Sequence, residues 1–440
     1  MINELILSIN GYLWSLPFLA FIVAVGCIIT TSLRFIQIRT FCKGWKLILL
    51  GDGTSAADTK GDMSPFQAFL NTLSVSIGNG SLAGIAVAIA AGGPGAAFWI
   101  FIVGLLSMAI RCAEVFLGVS FSTLAGNKDR LGGPFLYIEK LPGGAILAYL
   151  YGIFCLFFGF TGGNAMQCNS ISTAFCRMTG SPTWIVAAAL GLFVLYVMLG
   201  GSKRIVKVVE RVVPLKVGLF FITILIVLAY YWSALPAAVL FIIKSAFNPQ
   251  AAYGAAAGLT LPVMFAAATK VTINASEAGL GTAAIFYGNT GSTNPENDGI
   301  TSMLSTFLSN NVAGMMVAIA LVASGVWNKG SDGAPMVIEA YQTVFGHWGG
   351  WIVTFLTIPF GIGVFISYGY VSRQCWLYLT NKRWSGIFPY IFATTSCLGA
   401  IAPIQVVWNA LYIALAALLI INLSALVYYI PYMRKQIFKK

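Results

Sequence analysis

Two short polar runs interrupt the long apolar stretches of this chain, and its chemistry must lie there. The first, Ser76-Ile77-Gly78-Asn79-Gly80-Ser81, stands inside the run from Asn71 to Gly95. The second, Ser276-Glu277-Ala278-Gly279-Leu280-Gly281, interrupts Ala268 to Ala284 in the second half of the chain. Glycine costs about 1 kcal/mol relative to alanine inside a helix, and Asn and Ser offer the backbone competing hydrogen bonds. Each run therefore reads as a break in a helix. In hydrocarbon a break is tolerated only where protein or a wet cavity surrounds it. At the first break, freed N–H groups around Asn79 and Gly80 suit a carboxylate, because they open a half-helix at its positive end. Freed carbonyls just before it, near Ser76 and Ile77, suit a small cation. Asn79 and Ser81 offer side-chain oxygens to either. A single Gly-x-Gly would be read as close helix packing, but two breaks at symmetric positions point to a binding site.

The remaining polar residues carry fewer options. Glu277, at the second break, can cap the N–H groups of the following half-helix or carry a coupled proton. Arg111 and Glu114 share one helix at i, i+3 spacing and read as a mutual brace near its inner end. The eight cysteines are scattered without CxxC spacing and read as small buried hydrophobes. His347, the single histidine, sits in the loop GHWGG as an interfacial residue. With no His/Cys/Asp cluster, no phosphate-cradling loop and no nucleophile beside a base, the chain does not read as an enzyme.

The elements that hold these breaks follow from composition. Of 440 residues, 58% are hydrophobic and 9% charged, with mean hydropathy +0.86. Soluble domains carry about 25% charged residues, so this is an all-α integral membrane protein. Alternating β-barrel segments are absent. The net charge of +12 reflects inner loops rather than a nucleic-acid partner, and none is expected. About eleven apolar runs are long enough to span a bilayer. Residues 1–64 form an extra N-terminal helix and the interfacial segment RFIQIRTFCKGWKLIL. Residues 65–232 form a first five-helix repeat, 233–252 an outer connector, and 253–405 a second five-helix repeat whose last helix may run on into 406–440. That last segment holds a C-terminal helix and a basic tail. Five is odd, so the second block enters the membrane from the opposite side, as an inverted repeat with broken helices in equivalent places. Most of the 25 Lys and Arg collect in alternate loops, including Lys203, Arg204, Lys207, Arg211 and Lys216. This bias puts the N-terminus outside and the C-terminus in the cytoplasm of a multi-pass inner-membrane protein.

Several runs also resemble a known family: SPFQA (64–68), GNGSLAG (78–84), AIAAGGPGAAFW (88–99), LGGPFLYIE (131–139), GNAMQCNSI (163–171) and SEAGLGTA (276–283). Together they are similar to the alanine or glycine:cation symporter family, over about residues 11 to 380. The resemblance implies a leucine-transporter-type fold with one extra N-terminal helix. It implies uptake of a small neutral amino acid, alanine or glycine, coupled to Na+ by alternating access; a monomer in the lipid bilayer is expected. The implied substrate site takes in Gly78, Asn79, Gly80, Ser81, Gln167, Ser276, Glu277, Gly279 and Phe365. Gln167 can bond the substrate head group or clamp two helices. The implied sodium site combines the carbonyls of Ser76 and Ile77 with hydroxyls of Thr354, Thr357 and Ser367. Each of those hydroxyls can instead bond its own i−4 carbonyl. The family's G-T-G-N is here Gly78-Asn79-Gly80-Ser81, and its N-E-A-G is Ser276-Glu277-Ala278-Gly279. A proton-coupled or altered-substrate transporter is therefore the runner-up. A sensor or channel is the rival from another class, though a channel needs a continuous polar stripe that these helices lack.

Overall fold

The fold is organised by the two broken helices. A computed structural model describes Ser8 and residues 10–51, 61–124, 131–248, 260–402 and 404–438. Among these, eight helices are long and apolar enough to cross a membrane, and Thr183–Leu199, Trp232–Phe247 and Phe388–Ile401 are shorter apolar helices. In chain order, α1 (Leu16–Ser32) and the amphipathic α2 (Phe41–Leu50) precede the first broken helix, α3 (Pro65–Ser76) and α4 (Asn79–Gly92). Then come α5 (Ala96–Leu124), α6 (Gly144–Phe160), α7 (Met166–Thr179), α8 (Thr183–Leu199) and α9 (Gly201–Tyr230). The short α10 (Leu235–Phe247) leads to the second broken helix, α11 (Leu261–Ser276) and α12 (Thr282–Gly288). After these stand α13 (Pro295–Thr306), α14 (Met315–Ala323), α15 (Gly333–Phe345), α16 (Trp348–Leu379), α17 (Phe388–Ile401) and α18 (Ile404–Tyr428).

Local chemistry explains the ends of the first broken helix. Ser64 and Gln67 form a reciprocal capping box, with Pro65 in the first turn, so α3 starts firmly. It stops at Ile77, whose ψ of 89° leaves the helical region. In the second broken helix, α11 stops at Glu277 with φ 57°, and Gly279 and Gly281 follow at φ 92° and 84°. Glycine supplies that left-handed backbone without a Cβ clash, which is why the run is Gly-rich. The first half of each broken helix packs on the second half of the other, α3 with α12 and α4 with α11. The two therefore lie side by side and antiparallel, as an inverted repeat requires. Around them, α5 packs on α11, α12 and α13, and α16 packs on α3, α6, α7 and α9.

The described residues add detail at three places. Helix α10 occupies most of the outer connector 233–252. Its Ser245 and Ala246 backbone lies close enough to Gly95 that an added Cβ would come within 2.5 Å. Helix α9 begins at Gly201, well before the apolar run that marks it, because Ile205, Val206, Val209 and Val213 bury one face of a basic amphipathic turn. Lys216 is consequently not an inner-loop base but a fully buried side chain within that helix. Helix α18 begins at Ile404, beside the boundary expected at 405. Residues 253–259, taken as the start of the second broken helix, lie outside the described residues, as does Lys60. The interfacial segment is helical, and Lys43 of α2 pairs with Glu296 at 2.9 Å, tying it to α13.

Candidate transport site at the paired helix breaks

The first break opens on a cavity that encloses about 410 Å3, its mouth included. Ser76, Gly78, Asn79, Gly80 and Ser81 line one wall, Gln167 and Gly162 a second, and Asn274 and Glu277 a third. Phe158, Met166, Val364, Tyr368 and Leu411 complete an otherwise apolar enclosure. Asn79 Nδ2 donates to Gln167 Oε1 at 3.3 Å, while Asn79 Oδ1 is buried without a hydrogen-bond partner. No side chain caps the start of α4, and the Ser81 N–H bonds the Gly78 carbonyl at 3.0 Å, so the N–H groups of Asn79 and Gly80 are left for another acceptor. A short π-helical turn, Thr161–Ala165, joins α6 to α7. Gln167 Nε2 reaches back to the Gly162 carbonyl at 3.2 Å, which fixes the amide toward the cavity.

The structure brings together only part of the residues named from sequence. Ser276 lies behind the wall, its carbonyl shared by Ser76 Oγ at 3.3 Å and by the Arg111 guanidinium. Gly279 lies deeper, donating to Glu114 at 3.0 Å and accepting from Asn422 at 2.8 Å. Phe365 does not reach the cavity; it is fully buried and meets Phe193 edge-on. Its neighbours Val364 and Tyr368 line the cavity instead, because one-residue steps on a helix point about 100° apart. Of the sodium candidates only Ser76 lines the cavity. The Ser76 carbonyl accepts from Ser81 Oγ at 2.6 Å, and Ile77 is buried with its N–H bonded to Leu73. Thr357 bonds its own i−4 carbonyl, Ser367 bonds Asn71 Oδ1 at 3.3 Å, and Thr354 is buried.

The freed backbone of the second break is satisfied from α5, which overturns the capping role expected of Glu277. Glu114 Oε2 accepts from the N–H groups of Gly279 at 3.0 Å and Gly281 at 3.1 Å. Arg111 donates to the Ser276 carbonyl at the other side of the gap. The two side chains also bond each other at 2.5 Å with no exposed surface. Anion toward the starting half-helix and cation toward the ending one is the polarity that the helix dipoles favour. Glu277, the residue on which α11 ends, instead accepts from Thr282 Oγ1 at 3.0 Å. The i, i+3 spacing showed that Arg111 and Glu114 could pair, but nothing in one helix reveals which neighbour they staple.

Paired broken helices in antiparallel register around a small half-polar cavity define a membrane transporter of the inverted-repeat class. The chain belongs to the sodium:alanine symporter family, whose model matches residues 1–439. It is 32% identical to an uncharacterised transporter of Haemophilus influenzae, over 97% of this chain and 93% of that protein. It is 30% identical to the sodium/alanine symporter AgcS of Methanococcus maripaludis, over 96% of this chain and 94% of that one. Among solved structures, a manganese transporter of Eremococcus coleocola superposes with a TM-score of 0.54 at 12% identity, covering 86% of this chain and 79% of that one. That likeness concerns the fold alone.

Proposed function

We propose that this protein is a secondary active symporter that takes up a small neutral amino acid, alanine or glycine, down a cation gradient. The observation that carries the reading is the uncapped start of α4 facing the free Asn79 Oδ1 and the Gln167 amide across one cavity. The half-helix start would take the substrate carboxylate and Asn79 Oδ1 its ammonium. Ser81, held on the Ser76 carbonyl, would keep the break open, and Phe158, Val364 and Tyr368 would limit the side chain to a small one. Sodium is the ion in the family's description and in the name of AgcS, and Ser76, Ile77, Thr354, Thr357 and Ser367 remain its candidate ligands. The basic loops support an N-terminus outside and a C-terminus inside. Alternating access would rock the broken helices, together with α5 and α13, against α6 and α16. In proteoliposomes, labelled alanine or glycine should accumulate above equilibrium under an inward cation gradient. Mere equilibration under every gradient would remove symport.

A further inference from the structure

Lys216 is a buried charge that the substrate cavity does not use. Its Nζ donates to the Ser74 carbonyl at 2.6 Å and lies 3.3 Å from Ser74 Oγ. Ser74 stands in the last turn of α3, so the ammonium caps the carbonyl end of that half-helix, where the macrodipole is negative. Helix α16 closes the other side. A Cβ built on Gly363 would lie 2.7 Å from both Nζ and Ser74 Oγ, and the Phe360 ring centroid lies 5.7 Å from Nζ. The lysine thus joins three helices at one point, and glycine at 363 leaves it room.

The acidic groups on the elements packed around it are engaged elsewhere. Helices α3, α8 and α14 carry no charged residue. On α15, Glu339 bonds Ser331 and Tyr341 bonds Thr223. On α16, Arg373 bonds Ser202, Tyr370 bonds Asp62, and Tyr368 faces the substrate cavity. On α9 itself, Glu210 accepts from Gln67, Arg204 bonds the Tyr196 carbonyl, and the remaining charges, Lys203, Lys207 and Arg211, are bases that stand nearer the start of the helix. An intramembrane ammonium whose counter-charge is only a helix end is expensive to keep, and function is its default reading. The carbonyl end of α3 is also where a small free cation is expected from sequence. In the folded chain a tethered one is already there.

We propose that Lys216 takes the place of a free metal ion at the carbonyl end of α3, and that protonation and deprotonation of its amine couple transport to the proton gradient. The amine takes a proton from water on the side to which the cavity opens, and the resulting ammonium holds α3 against α9 and α16. Release of that proton to water on the opposite side removes the charge that the half-helix end attracts and frees α3 to move. This inference rests on the symporter reading above and names its coupling ion.

The full-length protein in proteoliposomes decides it. Wild type should accumulate labelled alanine under an inward proton gradient with choline replacing sodium, and uptake should change with pH. Lys216→Met should lose proton-driven accumulation by about tenfold or more while alanine–alanine exchange persists. Lys216→Arg keeps the cation but cannot release its proton, so it should exchange and not accumulate. Wild-type accumulation that needs sodium and ignores the proton gradient would overturn the proposal. So would variants whose proton-driven accumulation matches wild type. Absence of any amino-acid exchange by wild type would instead sink the symporter reading. The lysine is then judged by melting curves in sodium against choline: sodium stabilising Lys216→Met and not wild type supports the tethered cation, and equal responses refute it.

Discussion

Removing the Glu114 carboxylate should damage the second break more than the first. In Glu114→Gln, Arg111 loses its buried partner and the N–H groups of Gly279 and Gly281 lose a charged acceptor. Breaking a buried ion pair from one side costs about 3–5 kcal/mol, and each weakened buried N–H adds about 1 kcal/mol or more. Because the terms share one carboxylate they do not add fully, and about 4 kcal/mol is expected. That is a large share of a typical 5–15 kcal/mol stability and should lower the apparent Tm by on the order of 5 °C. The assay is thermal unfolding of purified protein in detergent, with Arg111→Met/Glu114→Leu as the double variant. A pair that served only itself would be replaced by apolar residues at little cost. Here the double variant still leaves two N–H groups and the Ser276 carbonyl short of partners, so rescue should be partial. Full rescue, or a single variant within about 1 kcal/mol of wild type, would refute the staple.

Three further substitutions test the same geometry. Asn79→Leu removes both the Gln167 contact and the free oxygen, and should weaken alanine binding by about 2 kcal/mol or more in titration calorimetry while the protein still folds; unchanged affinity would take Asn79 out of the site. Gly281→Ala places a methyl 2.4 Å from Pro134 Cγ and 2.6 Å from the Tyr151 hydroxyl at φ 84°, so a loss of about 2 kcal/mol or more is expected in unfolding. A wild-type melting curve would show that the turn relaxes. Glu277→Gln keeps an oxygen for Thr282, so stability should change by about 1 kcal/mol or less. A collapse in stability would mean that the acid, and not Glu114, holds the turn.

Legibility of the site varied with the range of the interaction. Gly78, Asn79, Gly80 and Ser81 could be named because helix-breaking residues act on their own backbone. Gln167 was placed by motif, and its amide lines the cavity. Phe365 was placed by motif, and a helical step of one residue turns it away while Val364 and Tyr368 face in. Asn274 and Leu411 line the cavity from other helices and carried no local sign. The hydroxyls of Thr357 and Ser367 stood out equally in sequence, yet one serves its own helix and the other an asparagine of α3.

By itself the sequence determined the membrane class, the spans, the two breaks and their symmetric placement. Each of these is a property of one segment: apolar length against bilayer thickness, or glycine against helix propensity. Only the tertiary structure decided what completes the breaks. Glu114 and Arg111 from α5, Asn422 from α18 and Lys216 from α9 reach backbone groups far away in the chain. Freed backbone dipoles must be met inside hydrocarbon, but any helix that packs beside the break can meet them. Which one does so is set by packing, and periodicity along a single helix holds no record of its neighbour.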